Sequence, residues 1–301
     1  MELRQMEYIL MIQEEKSITR AAERLFLTQS ALNQQLQKLE AELGTPLFVR
    51  NRSDWRPTEA GLVCIEAAKQ ILNIKKDALS QIKDLADSSR QAFSVGLIPE
   101  RGVDMFTAIY PEFHRRFPQV ILEPEECNVR TMQKRIARGQ LDLGLITLTE
   151  EQKDENIYLH MAEEEIFLAA PASHPLASLG SPRAEDAPDI DLKEFSRDAF
   201  IRISQTSTMY QLSERLFSEA GFSPNVLFYT ISNVSKYRMV LAGVGCALLP
   251  AVFALPDERI VFFRLKQRPS WEITMCCRKE AYLSTAQNAF LDLCRRYWRP
   301  E

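Results

Sequence analysis

From Thr28 to Lys38 the chain reads Thr-Gln-Ser-Ala-Leu-Asn-Gln-Gln-Leu-Gln-Lys. Leu32, Leu36, Leu39 and Leu43 recur at helical spacing and make one apolar stripe. Gln29, Ser30, Asn33, Gln34 and Gln37 fall on the other side. Short amides and a hydroxyl donate and accept hydrogen bonds at once, which is the chemistry that reads base edges in a DNA major groove. A merely solvated helix face would carry the same residue types, so the stripe alone does not decide. Further on, Arg50, Arg52 and Arg56 crowd together with Asn51, Ser53 and Trp55. A local basic patch of this kind attracts phosphate whatever the total charge. A second chemistry belongs to three places where a strand-like run gives way to a helix. These hold Pro99, Glu100 and Arg101; Asn128 and Thr131; and Ser204, Gln205, Thr206 and Ser207. Free N–H groups at a helix start, with hydroxyls nearby, hold carboxylates or phosphates. One hydroxyl is also an ordinary cap. Arg101 could clamp an acid, or pair with Glu100 or another carboxylate.

Catalytic and metal chemistry find little support. His114, His160 and His174 are far apart and in no ligand spacing. There is no nucleophile elbow, P-loop or dinucleotide fingerprint; Gly243 and Gly245 lack the third glycine. No cofactor, metal or catalytic residue is expected. Cys64, Cys127, Cys246, Cys276, Cys277 and Cys294 are scattered without CxxC spacing. Buried, reduced thiols are the reading, with a redox trigger as the alternative. Cys127, at a helix start, could have a lowered pKa. The chain has 301 residues, 46% apolar and 26% charged, with a net charge of −4, which suits two or three globular domains. No apolar run approaches the roughly 18 residues of a membrane span. Glu2 and Arg4 interrupt any signal-peptide core. A cytoplasmic protein with no membrane partner is expected.

The elements that must position these residues follow from periodicity. Met1 to Glu15 reads as a helix with Leu3, Met6, Ile9, Leu10 and Gln13 inward. Ser17 caps a short helix from Ile18 to Leu25. Phe26 and Leu27 would pin the turn. Thr28 caps the polar-faced helix, which Gly44 and Pro46 close. Two short strands, 47–49 and 56–58, would hold a loop tip as a wing. From Thr58 to about Asp87 a long helix carries Ile65, Ala68, Leu72, Lys75, Leu79, Ile82 and Ala86 as a heptad seam. Such a helix cannot bury its stripe alone, so a dimer is expected. A polar hinge, 84–91, follows. Strands then alternate with helices, which argues a parallel sheet with crossovers. Strands are expected at 93–98, 120–123, 141–147, 165–170, 199–203, 226–230, 246–249, 260–265 and 271–278. Helices are expected at 103–117, 129–138, 209–220, 234–241 and 283–297.

Residues 1 to about 62 resemble the winged helix-turn-helix of the LysR-type transcriptional regulators. The resemblance rests on Ser17, Thr19, Ala21-Ala22, Leu25, Thr28 to Leu32, Leu39-Glu40, Leu43-Gly44, Pro46 to Phe48, Arg50 and Pro57 to Gly61, without a gap. Ser30 stands where the family often has Pro, and Asn33 where it most often has Ser. Both are on the outward face and bear on which operator is read. Weaker landmarks continue the resemblance: Phe117-Pro118, Leu141 to Leu143, His174 to Leu176, Gly221-Phe222 and Leu248 to Pro250. It implies an α/β chain with a winged helix-turn-helix head (1–58), a linker helix and hinge (59–90), and a two-lobed effector-binding domain (91–301). Lobe one is 92–161 with 269–301, and lobe two is 162–268. It also implies that Gln29, Ser30, Asn33 and Gln34 read bases. Thr28, Lys38 and Arg50 would hold phosphates, and Arg52 would enter the minor groove. The helix-start residues above would hold a small-molecule effector between the lobes. Double-stranded DNA, further copies of the chain as a homodimer or homotetramer, and RNA polymerase are the expected partners.

Overall fold

A computed structural model describes residues 1–50, 55–86 and 92–298. The chain divides into two compact units, Met1–Ser88 with Glu280–Ser284, and Ser89–Lys279 with Thr285–Glu301.

The first unit holds α1 (Leu3–Glu15), α2 (Ile18–Arg24), α3 (Gln29–Leu43), the strands β1 (Phe48–Arg50) and β2 (Trp55–Pro57), and α4 (Glu59–Leu85). Three hydroxyls set the helix starts. Ser17 accepts from the Arg20 N–H, Thr28 from that of Ala31, and Thr58 from that of Gly61. Gly44, at φ 70°, ends α3 in the left-handed conformation expected of it. Met6, Ile9 and Ile12 of α1 pack with Ala21, Ala22, Leu32, Leu36 and Leu39 in one core. Leu47, Phe48, Cys64, Ile65 and Ala68 complete it, so the start of α4 is tied to the helix-turn-helix. A Cβ on Gly61 would lie 2.0 Å from the Leu47 carbonyl oxygen, so only glycine allows that approach.

Four expectations for this unit need correction. Leu3, expected inward, is exposed at the first position of α1. Leu43, expected to continue the buried stripe, is exposed at the last position of α3. Phe26 does not pin the turn. Its side chain is 97% exposed and only Leu27 packs inward. The backbone explains this. The Phe26 N–H donates to the Glu23 carbonyl and that of Leu27 to the Ala22 carbonyl, which is the double closure of a helix by a left-handed residue. Phe26 supplies that residue at φ 56°, where its Cβ points outward. Phe26→Gly is expected to raise the stability of this unit by about 1 kcal/mol, read as a shift in the urea midpoint, because the left-handed strain disappears. The heptad seam is also divided. Ile65 and Ala68 are buried and Leu72 packs against the same core, whereas Leu79 and Ile82 are exposed. The large exposed apolar residues of α4 are Leu62, Val63, Ile74, Leu79, Ile82 and Leu85, of which only Leu79 and Ile82 belong to the expected seam. Helical period alone cannot tell a face buried on its own domain from one left for a partner.

The second unit begins with β3 (Ala92–Leu97), α5 (Arg101–Arg116), β4 (Ile121–Glu126), α6 (Val129–Ala137) and β5 (Leu143–Leu148). It continues with β6 (Ile157–Pro171), β7 (Asp189–Ile190), β8 (Ala199–Ile203), α7 (Thr208–Glu219), β9 (Asn225–Thr230) and α8 (Asn233–Leu241). The last elements are β10 (Ala247–Pro250), β11 (Ile260–Leu265), β12 (Ser270–Cys277) and α9 (Thr285–Trp298). β4, β3 and β5 pair in parallel. β12 then pairs antiparallel with both β5 and β6, and β10 and β11 pair antiparallel with the far end of β6. The sheet is therefore mixed, where alternation of strands and helices had argued a parallel one. The returning strand β12 comes from the chain's end, and local alternation carries no record of it. β6 is also longer than expected. Residues 157–165 pair with β12 in one lobe and residues 166–171 with β10 and β11 in the other. β8 and β9 form a separate parallel pair. The two strands that cross between lobes, β6 and β12, meet at Glu164 and Trp271, which are register partners.

Candidate functional site

The outer face of α3 is open. Thr28, Gln29, Ser30, Gln34, Gln37 and Lys38 are exposed and Asn33 is half-buried, while Leu32, Leu36 and Leu39 are buried behind them. The Thr19 hydroxyl donates to Gln29 Oε1 at 3.2 Å, which ties the first residue of α3 back to α2. Thr28 and Ser30 share a hydroxyl contact of 3.2 Å. Lys38 has no ion pair among the described residues. Arg50 is differently placed from a free phosphate-gripping residue. Its guanidinium pairs with Glu40 and lies 5.7 Å from the Trp55 ring centre. Glu40 also accepts from the Leu47 N–H, so it holds the start of the wing as well. Arg52 lies outside the described residues. Arg20 and Arg24 are tied to Glu14 and Glu15 on α1.

In the second unit a cavity of about 370 Å³ opens where β6 and β12 cross between the lobes. Pro99, Glu100, Arg101, Asn128, Ser204, Thr206 and Ser207 all line it. Two of the expected residues do not. Thr131 is exposed on α6, its N–H taken by Asn128 Oδ1 at 3.0 Å, because it lies one turn into the helix. Gln205 points instead into a separate polar pocket of about 210 Å³ with Arg130, Gln133, Gln152 and Gln211. Sequence reasoning missed Glu164, Trp271, Val252 and Phe253, which also line the main cavity. They come from mid-strand and from the segment after β10, where no local signal marks them.

The cavity's polar wall is built of interlocked groups. Glu164 is 3% exposed. It pairs with the Arg101 guanidinium and accepts from the Trp271 indole N–H at 2.9 Å and the Val252 N–H at 3.1 Å. Of the two readings open for Arg101, the structure therefore supports pairing with another carboxylate. Arg101 also lies 5.2 Å from the Trp298 ring centre. Glu100, at φ 68°, reaches across the cleft. Its Oε1 accepts from the Ser232 hydroxyl at 3.1 Å and the Val234 N–H at 3.2 Å, on the first turn of α8. Asn128 and Ser207 cap α6 and α7 beside it. One turn into α8, Lys236 is 2% exposed and its Nζ donates to the Leu248 carbonyl at 2.7 Å. Burial pulls its pKa down to about 7; Glu100 raises it and Arg202 lowers it further.

All six cysteines are free. Burial raises the Cys127 thiol, which corrects the expectation of a lowered pKa at that helix start. Burial likewise pushes Cys246 and Cys294 up to about 12. A thiol raised in this way is a poor nucleophile at neutral pH. His174 lies flat on Phe195, ring centres 4.9 Å apart, and accepts the Leu176 N–H on Nδ1. It is a core residue of the second lobe. The described residues contain no group of three or more His, Cys, Asp or Glu side chains arranged to hold a metal, and none of their helices is long and apolar enough to cross a membrane.

A capped helix with an open amide face, a two-stranded wing and a cleft between α/β lobes together define a ligand-responsive helix-turn-helix DNA-binding protein. The comparisons agree. The sequence matches the bacterial regulatory helix-turn-helix protein, lysR family, over residues 3–62, and the LysR substrate binding domain over residues 86–299. The chain belongs to the LysR family, and it is a DNA-binding transcriptional regulator with an effector-binding domain. It is 27% identical to the uncharacterized HTH-type transcriptional regulator YcgK of Bacillus subtilis (strain 168), over 98% of this chain and 94% of that one. Among solved structures, a full-length OxyR variant from Pseudomonas aeruginosa matches with a TM-score of 0.63 at 21% identity, covering 100% of this chain and 98% of that one. CbnR in complex with its target DNA matches with a TM-score of 0.53 at 20% identity, covering 99% and 100%.

Proposed function

We propose that α3 enters the major groove, with Gln29, Ser30, Asn33 and Gln34 reading bases and Thr28 and Lys38 holding phosphates. The observation that carries this is the division of α3 into a buried leucine stripe and an open face of amides and hydroxyls. Arg50 adds phosphate contact once Glu40 releases or shares it, and Arg52 enters the minor groove beside the wing. CbnR, which shares this fold and is complexed with its target DNA, supports DNA binding by this chain. A second copy of the chain covers the exposed stripe of α4, since Val63, Ile74, Ile82 and Leu85 leave too much apolar surface for a lone helix. Two such dimers form a homotetramer that spaces the recognition helices on a pseudo-palindrome. A small molecule binds in the inter-lobe cavity, with Pro99, Glu100, Arg101, Asn128, Ser204, Thr206 and Ser207 at its walls. It favours one arrangement of the assembly over another, and so shifts DNA contact or engagement of RNA polymerase. The protein works in the cytoplasm, where its DNA is. Gln29→Ala is expected to cost about 1–3 kcal/mol of discrimination between operator and scrambled DNA. A gel-shift titration with both duplexes measures it; an unchanged ratio removes Gln29 from the reading face.

A further inference from the structure

The charges inside the inter-lobe cavity point to the class of ligand it takes. This rests on the reading of that cavity as the effector site. Its charged lining residues are Glu100, Arg101, Glu126 and Glu164, three carboxylates to one guanidinium, and the buried ammonium of Lys236 lies within the field of Glu100. The guanidinium is already committed. Arg101 pairs with buried Glu164, which is further held by the Trp271 and Val252 N–H groups. An acid entering the cleft therefore meets a cation whose charge is met. The second natural seat for an acid is a helix start. At α8 that seat is filled from the opposite lobe by Glu100, which accepts from the Ser232 hydroxyl and the Val234 N–H. At α6 and α7 the side chains of Asn128 and Ser207 already accept from the first-turn N–H groups of Thr131 and Met209. Glu126 differs from the other carboxylates. It lies at the end of β4, exposed, and its side chain has no hydrogen bond or ion pair among the described residues. Phe253 and Trp271 contribute aromatic surface to the same cavity, and an aromatic face attracts a cation as well as an apolar body.

We propose that the cleft selects an organic cation, an ammonium on an apolar body, with Glu126 as its counter-ion and with Glu100 and Glu164 occupying the places an acid would take. The protein's own carboxylates act here as specificity residues. They fill two of the anion seats, and Glu126 leaves negative charge facing the cavity. A ligand ammonium gains from that charge, and a carboxylate of the same shape is repelled by it.

The test is calorimetric titration of the full-length protein with three probes that share one body: phenethylamine, phenethyl alcohol and hydrocinnamate. The amine is expected to bind about tenfold more tightly than the alcohol, with hydrocinnamate weakest. Glu126→Gln is expected to lower amine affinity about tenfold, and Glu126→Asp to retain most of it. An amine that binds no better than the other two probes overturns the proposal, and so does failure of all three to bind. An amine affinity untouched by Glu126→Gln overturns the role of that carboxylate. Ser204→Trp, which places an indole in the cavity, separates this inference from the reading beneath it. If hydrocinnamate is favoured and Ser204→Trp abolishes its binding, the cleft is a ligand site but not for cations. If amine binding survives Ser204→Trp, the cleft reading itself fails.

Discussion

Replacing Lys236 with Met is expected to stabilise the second unit at pH 6 by about 3 kcal/mol, and to flatten its stability between pH 7 and 10. Lys236 is enclosed on α8, and among the described residues its ammonium makes one hydrogen bond, to the Leu248 carbonyl, where it has three donors to satisfy. Burial takes its pKa from 10.5 down to about 7. The unfolded chain keeps that proton up to about pH 10.4, so between these values the unfolded state binds more protons than the native one. Stability contributed by this group therefore rises with pH across the window. Below pH 7 both states are charged and the native state carries the whole desolvation cost. The shift corresponds to about 5 kcal/mol, an upper bound that local relaxation reduces. Met keeps the unbranched shape and removes the charge. Urea unfolding followed by the fluorescence of Trp271 and Trp298, at pH 6 and pH 9, checks both parts. A variant less stable than the parent at pH 6 would show that the lysine charge is satisfied in a way its surroundings do not suggest.

The second large effect is at the crossing of the lobes. Glu164→Leu is expected to cost about 3 kcal/mol, because three donors lose a common acceptor at once. The Trp271 indole N–H and the Val252 N–H are left without it, and Arg101 keeps a charge with only partial access to water. Arg101→Met alone is expected to cost less, since Glu164 retains two neutral donors. The double variant is expected to recover at least half of the loss, as replacement of a whole buried pair by apolar groups generally does. Denaturant midpoints of the three variants measure the coupling. Equal losses from Glu164→Leu and from the double variant would mean that the arginine charge is not what makes the single change costly.

These two residues illustrate what could be read early. Arg101 was visible as a basic residue at a helix start, but its partner was not. Glu164 sits 63 positions away, inside a strand whose residues give no period that marks one carboxylate as buried. Lys236 lies within a helix where a lysine is ordinary, and the packing of α8 on β8, β6 and β10 encloses it. Phe26 departs from its sequence expectation for a related reason. An apolar residue in a turn suggests packing, yet a left-handed backbone turns its side chain to solvent. Thr131 and Gln205 are close in sequence to true neighbours of the cavity. One turn of helix, or one residue of loop, was enough to face them elsewhere.

By itself the sequence determined the helix-turn-helix head. Ser17, Thr28, Thr58 and Gly44 act on their own local backbone, and the leucine stripe of α3 needs only the helical period to be seen. The same holds for the family and for three of the helix starts that meet at the cleft. Tertiary structure alone decided the mixed sheet, the face of α4 left uncovered, and the pairing of charges around the cavity. Each of these depends on which residues distant in the chain become neighbours, and a side chain's electrostatic role is set by the partners that remain once water has gone.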